Sequence, residues 1–123
     1  ASEAIKRSIA ELREIYRDMP EHERELEWSI RPDQPWEGQG SGYVADSLRS
    51  AFMLLLQTSG FEDSVKRAVL LGNDTDTTAC ITGGLTGIRY GLSGIPQRWL
   101  RKLKEREKVQ KLLEMLLTST MLY

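Results

Sequence analysis

Residues 71–91 read LGNDTDTTACITGGLTGIRYG. Asp74, Asp76 and Thr77 gather oxygen-bearing side chains at one point, and the helix expected after them carries Gly83, Gly84 and Gly87. Each glycine costs a helix interior roughly 1 kcal/mol relative to alanine. Packing must offset that loss. Ala79, Gly83 and Gly87 recur every four residues, with Cys80, Gly84 and Thr86 near them, so one face of the helix is almost without side chains. Such a face lets another helix approach closely. The stretch predicts a helix clamped in a bundle, with a fixed acidic turn at its start. Gly91 has the placement of its C-terminal cap, and Gly72 that of the cap of the helix before it.

The flanking sequence continues the helical pattern. Ile5, Ile9, Leu12 and Tyr16 form one apolar stripe, so a first helix runs from about Glu3 to Asp18, and Pro20 ends its pattern. Residues 21–30 are charged and suit a short second helix, with His22 as a solvated surface residue. RPDQPWEGQGSG at 31–42 is a loop, because two prolines and three glycines break any period; Trp36 reads as a plug over the core. Leu48, Ala51, Phe52, Leu55 and Leu56 mark a largely buried helix from Val44. Ser59 and Glu62 have capping-box spacing for a fourth helix, with Val65, Ala68, Val69 and Leu71 inward. Pro96 suits the first position of one last helix whose apolar side runs from Trp99 through Leu103 to Leu117. No segment alternates long enough to be a strand. The expectation is a single all-α domain over residues 1–123, with five or six helices.

The bulk numbers exclude several function classes. The 123 residues carry a net charge of −1 and a 28% charged fraction of mixed sign, so neither a nucleic-acid nor an anionic-membrane partner is indicated. Cys80 is the only cysteine and forms no internal disulfide. The longest apolar run, 51–56, is far below the roughly 20 residues of a membrane span. The expected location is the cytoplasm. Ala1 does not look like a natural start, which suggests a piece of a longer protein.

Two accounts of Asp74, Asp76 and Thr77 share one geometry. Aspartate is a favoured N-cap, and an Asx-turn explains the second one. Equally, carboxylates at i and i+2 with a neighbouring hydroxyl can converge on a hard cation such as Mg²⁺, Ca²⁺ or Mn²⁺, and their all-oxygen character disfavours zinc. An EF-hand is excluded: counted from Asp74, its glycine position holds Ala79 and its glutamate position holds Leu85. A nucleotide loop at GGLTG is a weak reading, because no strand precedes it.

Three stretches taken together, SGYVADSLRSAFMLLL at 41–56, SGFEDSVKRAVLLG at 59–72 and NDTDTTACITGGLTGIRYGLSGIPQRWL at 73–100, resemble the C-terminal part of the ADP-ribosylglycohydrolases. That family includes hydrolases acting on ADP-ribosylated dinitrogen reductase. The resemblance covers residues 41–100, about half the chain. It implies an all-α, orthogonal helical bundle of which this chain is only the C-terminal part, and two divalent cations, Mg²⁺ or Mn²⁺, per intact site. It implies that Asp74, Asp76 and Thr77 hold metal, and that Ser41, Gly42, Tyr43 and Val44 lie along ADP-ribose. Asn73 stands where the family usually has glycine or aspartate. The Thr-Asp-Asp motif of the family's N-terminal half is absent from residues 1–40, and no catalytic acid or base is assigned to this chain. The implied substrate is an ADP-ribosylated protein or a small ADP-ribosyl compound, and the implied companion is the N-terminal half or a second copy. The rival expectations are a non-catalytic helical module that keeps the fold, and a scaffold that binds a partner through residues 98–117.

Overall fold

The computed structural model describes residues 3–120. The chain is all-α, with seven α-helices and no strand among the described residues. They are α1 (Glu3–Tyr16), α2 (Pro20–Glu25), α3 (Val44–Gln57), α4 (Phe61–Leu70), α5 (Thr75–Tyr90), α6 (Gln97–Lys102) and α7 (Arg106–Thr120). A π-helical turn, Leu26–Ile30, extends α2, and a short 3₁₀ turn, Leu92–Gly94, follows α5. No helix among the described residues is long and apolar enough to cross a membrane.

The core is the layer where α5 lies against both α3 and α4. It is made of small side chains. Ala45, Ala51, Leu54 and Ala68 are its buried apolar members, while Thr78, Thr82 and Thr86 are fully buried along one face of α5. That threonine stripe replaces the face expected from Ala79, Gly83 and Gly87. Gly83 and Gly87 do meet α4, but loosely: an added Cβ would contact Val65 Cγ2 at 3.9 Å and Phe61 Cε2 at 3.8 Å, both ordinary distances. Gly84 has no neighbour, and Cys80 is exposed. The small residues of α5 therefore divide between a loosely packed side and a bare one.

Several local expectations are corrected. The capping box at Ser59 and Glu62 does not form. Gly60 is the N-cap of α4 and gives no side-chain cap, while Glu62 pairs with Lys66 and Arg98 instead. The buried Ser64 and Thr58 hydroxyls bond each other there, and Ser64 Oγ also donates to Gly60 O. Val69 and Leu70 face outward. The last helix is two helices. Pro96 is the N-cap of α6 rather than its first residue, and the chain breaks after Lys102 with Leu103 extended and Glu105 at φ 55°. Between Leu103 and Val109 the sequence has only charged residues, so no apolar anchor holds a continuous rod. Gly72 (φ 75°) and Gly91 (φ 67°) end α4 and α5 as expected. Trp36 stacks on Phe52 at 4.7 Å between ring centroids, which makes it the expected plug.

Candidate functional site

The start of α5 meets the loop before α3. Asp74 is the N-cap of α5: its Oδ1 accepts the Thr77 amide at 3.3 Å. The capping account is therefore correct for Asp74, but it uses only one oxygen. The other oxygen, Oδ2, lies where a Cβ on Gly42 would overlap it. Gly42 also sits at φ 81°, so its backbone angle and the approach of the carboxylate both demand glycine. The Asp74 amide donates to Gly40 O at 2.9 Å. Asn73 stands at φ 55°, a left-handed conformation asparagine tolerates, and its side chain donates to Gln39 O at 3.1 Å. Asparagine in this position is thus a backbone requirement with a tether added.

The loop is fixed on its other side by α3. Asp46 accepts the Gln39 amide at 3.0 Å and the Ser41 amide at 2.7 Å, one on each carboxylate oxygen. Ser50, one turn further along, accepts the Gly40 amide at 3.0 Å. Desolvation would raise the Asp46 carboxyl, but the Ser41 and Gln39 amides outweigh it and hold it below the ordinary range. Arg49 anchors the preceding segment. It is 2% exposed, and its guanidinium donates to the carbonyls of Ile30, Arg31, Pro35 and Glu37 while lying over the Trp36 ring.

Of the residues expected at the site, Gly42 is therefore brought against Asp74, with Ser41 next to it in a turn held by Asp46. Asp76 is exposed beside it, and Thr77 closes the turn. The Asp76 carboxyl, then the Thr77 hydroxyl and amide, hold the Asp74 carboxyl below its usual range. Tyr43 and Val44 are exposed on the adjoining rim, at 56% and 72%. Tyr43 is not a core cap; its hydroxyl donates to Glu25 Oε1 at 3.3 Å. No cluster of three or more His, Cys, Asp or Glu side chains fit for a metal occurs among the described residues. The larger grooves lie elsewhere: one of about 820 Å³ is lined by Arg106, Lys111 and Glu114, one of about 460 Å³ by Arg13, Arg17 and Glu27, and one of about 390 Å³ by Val65, Val69 and Trp99. Sequence reading missed Asp46, Arg49 and Ser50. The signal for Arg49 was a cation four residues from Ala45 on the inward side of an apolar helix.

A family model described as ADP-ribosylglycohydrolase matches residues 1–122. The match extends well beyond residues 41–100. An ADP-ribosylarginine hydrolase Tri1 from Serratia proteamaculans is 41% identical over 80 residues, which cover 65% of this chain and 22% of that protein. The Tri1 of Pseudomonas putida is 36% identical over 74 residues, 60% of this chain and 20% of that protein. An ADP-ribosyl-dinitrogen reductase glycohydrolase from Rhodospirillum rubrum is 36% identical over 70 residues, 57% of this chain and 24% of that protein. The aligned part of this chain thus spans between a fifth and a quarter of these relatives' length. No solved structure matches the chain significantly.

Proposed function

Because the chain belongs to the ADP-ribosylglycohydrolase family, we propose that it is the part of a cytoplasmic, metal-dependent hydrolase that carries one half of a divalent-cation site and a strip of the ADP-ribose surface. The substrate class is an ADP-ribosylated protein, with arginine as the acceptor by analogy with the relatives' names. The observation that carries the reading is the junction itself: the Gln39–Gly42 turn is tied to Asp74 by a backbone hydrogen bond, and the Gly42 backbone lies so close to Asp74 Oδ2 that any side chain there would overlap it.

The donors fit Mg²⁺ or Mn²⁺. Asp74, Asp76 and Thr77 present hard oxygens only, and two neighbouring carboxyls favour either a shared proton or a cation between them. Asp74, Asp76 and Thr77 would hold the cation; two cations per intact site would orient ribose hydroxyls and lower the pKa of a water. The chain's own residues do the rest. Gly42 lets the turn pack directly against the Asp74 carboxylate without a side chain between them. Ser41, Tyr43 and Val44 form an exposed rim on which a nucleotide can lie, with the Tyr43 ring as its apolar face. The carboxylates favour the positive charge that develops at an anomeric carbon as a glycosidic bond breaks.

Nuclear magnetic resonance on the chain tests this. Sub-stoichiometric Mn²⁺ should first broaden the amides of Gly42 and residues 74–78, and ADP-ribose should shift residues 41–44. Asp76→Asn should abolish the selective broadening. Broadening led instead by the acidic run at Glu21–Glu27 would place the cation elsewhere and overturn the reading.

A further inference from the structure

The Gln39–Ser41 turn is held like a plate between two helices. Its three consecutive amides all point to α3: Gln39 and Ser41 to the Asp46 carboxylate, and Gly40 to the Ser50 hydroxyl. Two of its carbonyls point the other way, to the start of α5: Gln39 O accepts the Asn73 side chain and Gly40 O accepts the Asp74 amide. The plate cannot tilt without breaking bonds on both sides. Gly38 pins its entry, since a Cβ there would overlap Ser50 Oγ and crowd the α3 backbone.

We propose that Asp46 is a positioning residue: through the Gln39–Gly42 turn it sets the place of Asp74 and of the nucleotide rim. The proposal rests on the reading of Asp74 as a cation ligand given above. Asp46 is singled out over Ser50 for two reasons. It takes two of the three amides, and its bonds are charge-assisted, hence roughly twice as strong as neutral ones. Each of its oxygens is given to a backbone amide of the turn, so its work is on the turn. It stands to the site as outer-shell partners stand to metal ligands: they orient the ligand without touching the ion, and their loss typically lowers affinity by about 10–100-fold. Carboxamide in place of carboxylate is a specific disruption, because its NH₂ must face either the Gln39 or the Ser41 amide, donor against donor.

The test compares Asp46→Asn with Ala68→Gly, a buried α4 substitution that costs stability without touching the turn. Amide hydrogen exchange without metal is the first readout. In Asp46→Asn the Asp74 amide should exchange about tenfold faster than the change in global protection accounts for, whereas in Ala68→Gly it should follow the global change. The second readout is the Mn²⁺ concentration that half-broadens residues 74–78. It should rise about tenfold in Asp46→Asn and stay near wild type in Ala68→Gly. Asp74 exchange that tracks global protection in both variants overturns the proposal. If wild type shows no selective Mn²⁺ broadening, the cation reading fails by itself, and the exchange comparison still decides whether Asp46 positions Asp74.

Discussion

At the scale of single residues, this site is built by groups that hold backbone rather than substrate. Arg49 is buried, and four backbone carbonyls solvate its charge in place of water, with the Glu37 and Asp46 carboxylates supporting it from further off. The planar fork of arginine suits that task, and lysine, with three donors on one atom, does not. Asp46 has a pH signature. Its folded-state pKa is depressed, so its contribution to stability is complete above the ordinary carboxylate range and is lost as pH falls through the folded value. Wild type should exceed Asp46→Asn in unfolding free energy by about 1 kcal/mol near neutral pH, less than charged hydrogen bonds usually contribute because solvent reaches the carboxyl. That lead should shrink below about pH 4, near the unbound aspartate pKa. Urea unfolding of both proteins at pH 7, 4 and 3 measures it. A gap that does not change with pH would mean the carboxylate charge contributes nothing there.

At the scale of elements, the hydroxyl-lined interface of α5 is the unusual feature. Thr86 Oγ1 donates to Thr82 O at 2.7 Å, but Thr78 Oγ1 and Thr82 Oγ1 are buried with no partner. A buried unsatisfied hydroxyl costs about 1–3 kcal/mol, and valine has nearly the same shape. Thr82→Val should therefore hold or raise stability by up to about 1 kcal/mol, while Thr86→Val should lower it by about the same. Thermal unfolding of the two variants compares them directly, and a larger loss in Thr82→Val than in Thr86→Val would show that its hydroxyl is satisfied by a buried water. This stripe also marks where sequence reading stopped. Helix positions and the glycine caps at Gly72 and Gly91 were legible, because period and capping are local. The buried face of α5 was not: by composition Thr78, Thr82 and Thr86 compete poorly with a run of glycines, and only the positions of α3 and α4 decide which side turns inward. For the same reason the resemblance brought Ser41, Gly42 and Asp74 into one site, while Asp46 and Arg49 stayed hidden, since their partners are backbone atoms five to nineteen residues away. The break at residues 103–105 was missed because a leucine pattern on both sides of KEREK looks continuous until one asks what the middle could bury.

At the scale of the whole molecule, the balance of buried and exposed apolar surface points beyond this chain. Among the described residues, the buried apolar side chains are Leu26, Ala45, Ala51, Leu54 and Ala68, and the largest fully buried residues are threonines. Meanwhile Leu70 is 82% and Ile88 87% exposed, Ile88 lying on the bare side of α5 with Cys80 and Gly84. Val109, Leu112, Leu113 and Leu116 form an exposed stripe on α7. Contiguous apolar patches of more than a few hundred Å² are rare on soluble monomers and mark association surfaces. The relatives have four to five times the length aligned here, so a companion of that kind is available in the family. The same shortage appears at the proposed cation site. Mg²⁺ wants six oxygens in near-octahedral array, and the chain offers two carboxylates and one hydroxyl on an open rim, where water weakens every charge interaction. The purified chain should therefore self-associate, bind Mg²⁺ only weakly, and leave ADP-ribosyl-arginine uncleaved. Adding a companion that supplies the rest of a relative's length should dissolve the self-association and restore tight Mn²⁺ binding and hydrolysis together. Light scattering, a Mn²⁺ titration and an ADP-ribose release assay, run with and without the companion, decide it. A monomer that binds Mn²⁺ tightly and cleaves substrate unaided would show that residues outside the Asp74 turn complete the site within this chain.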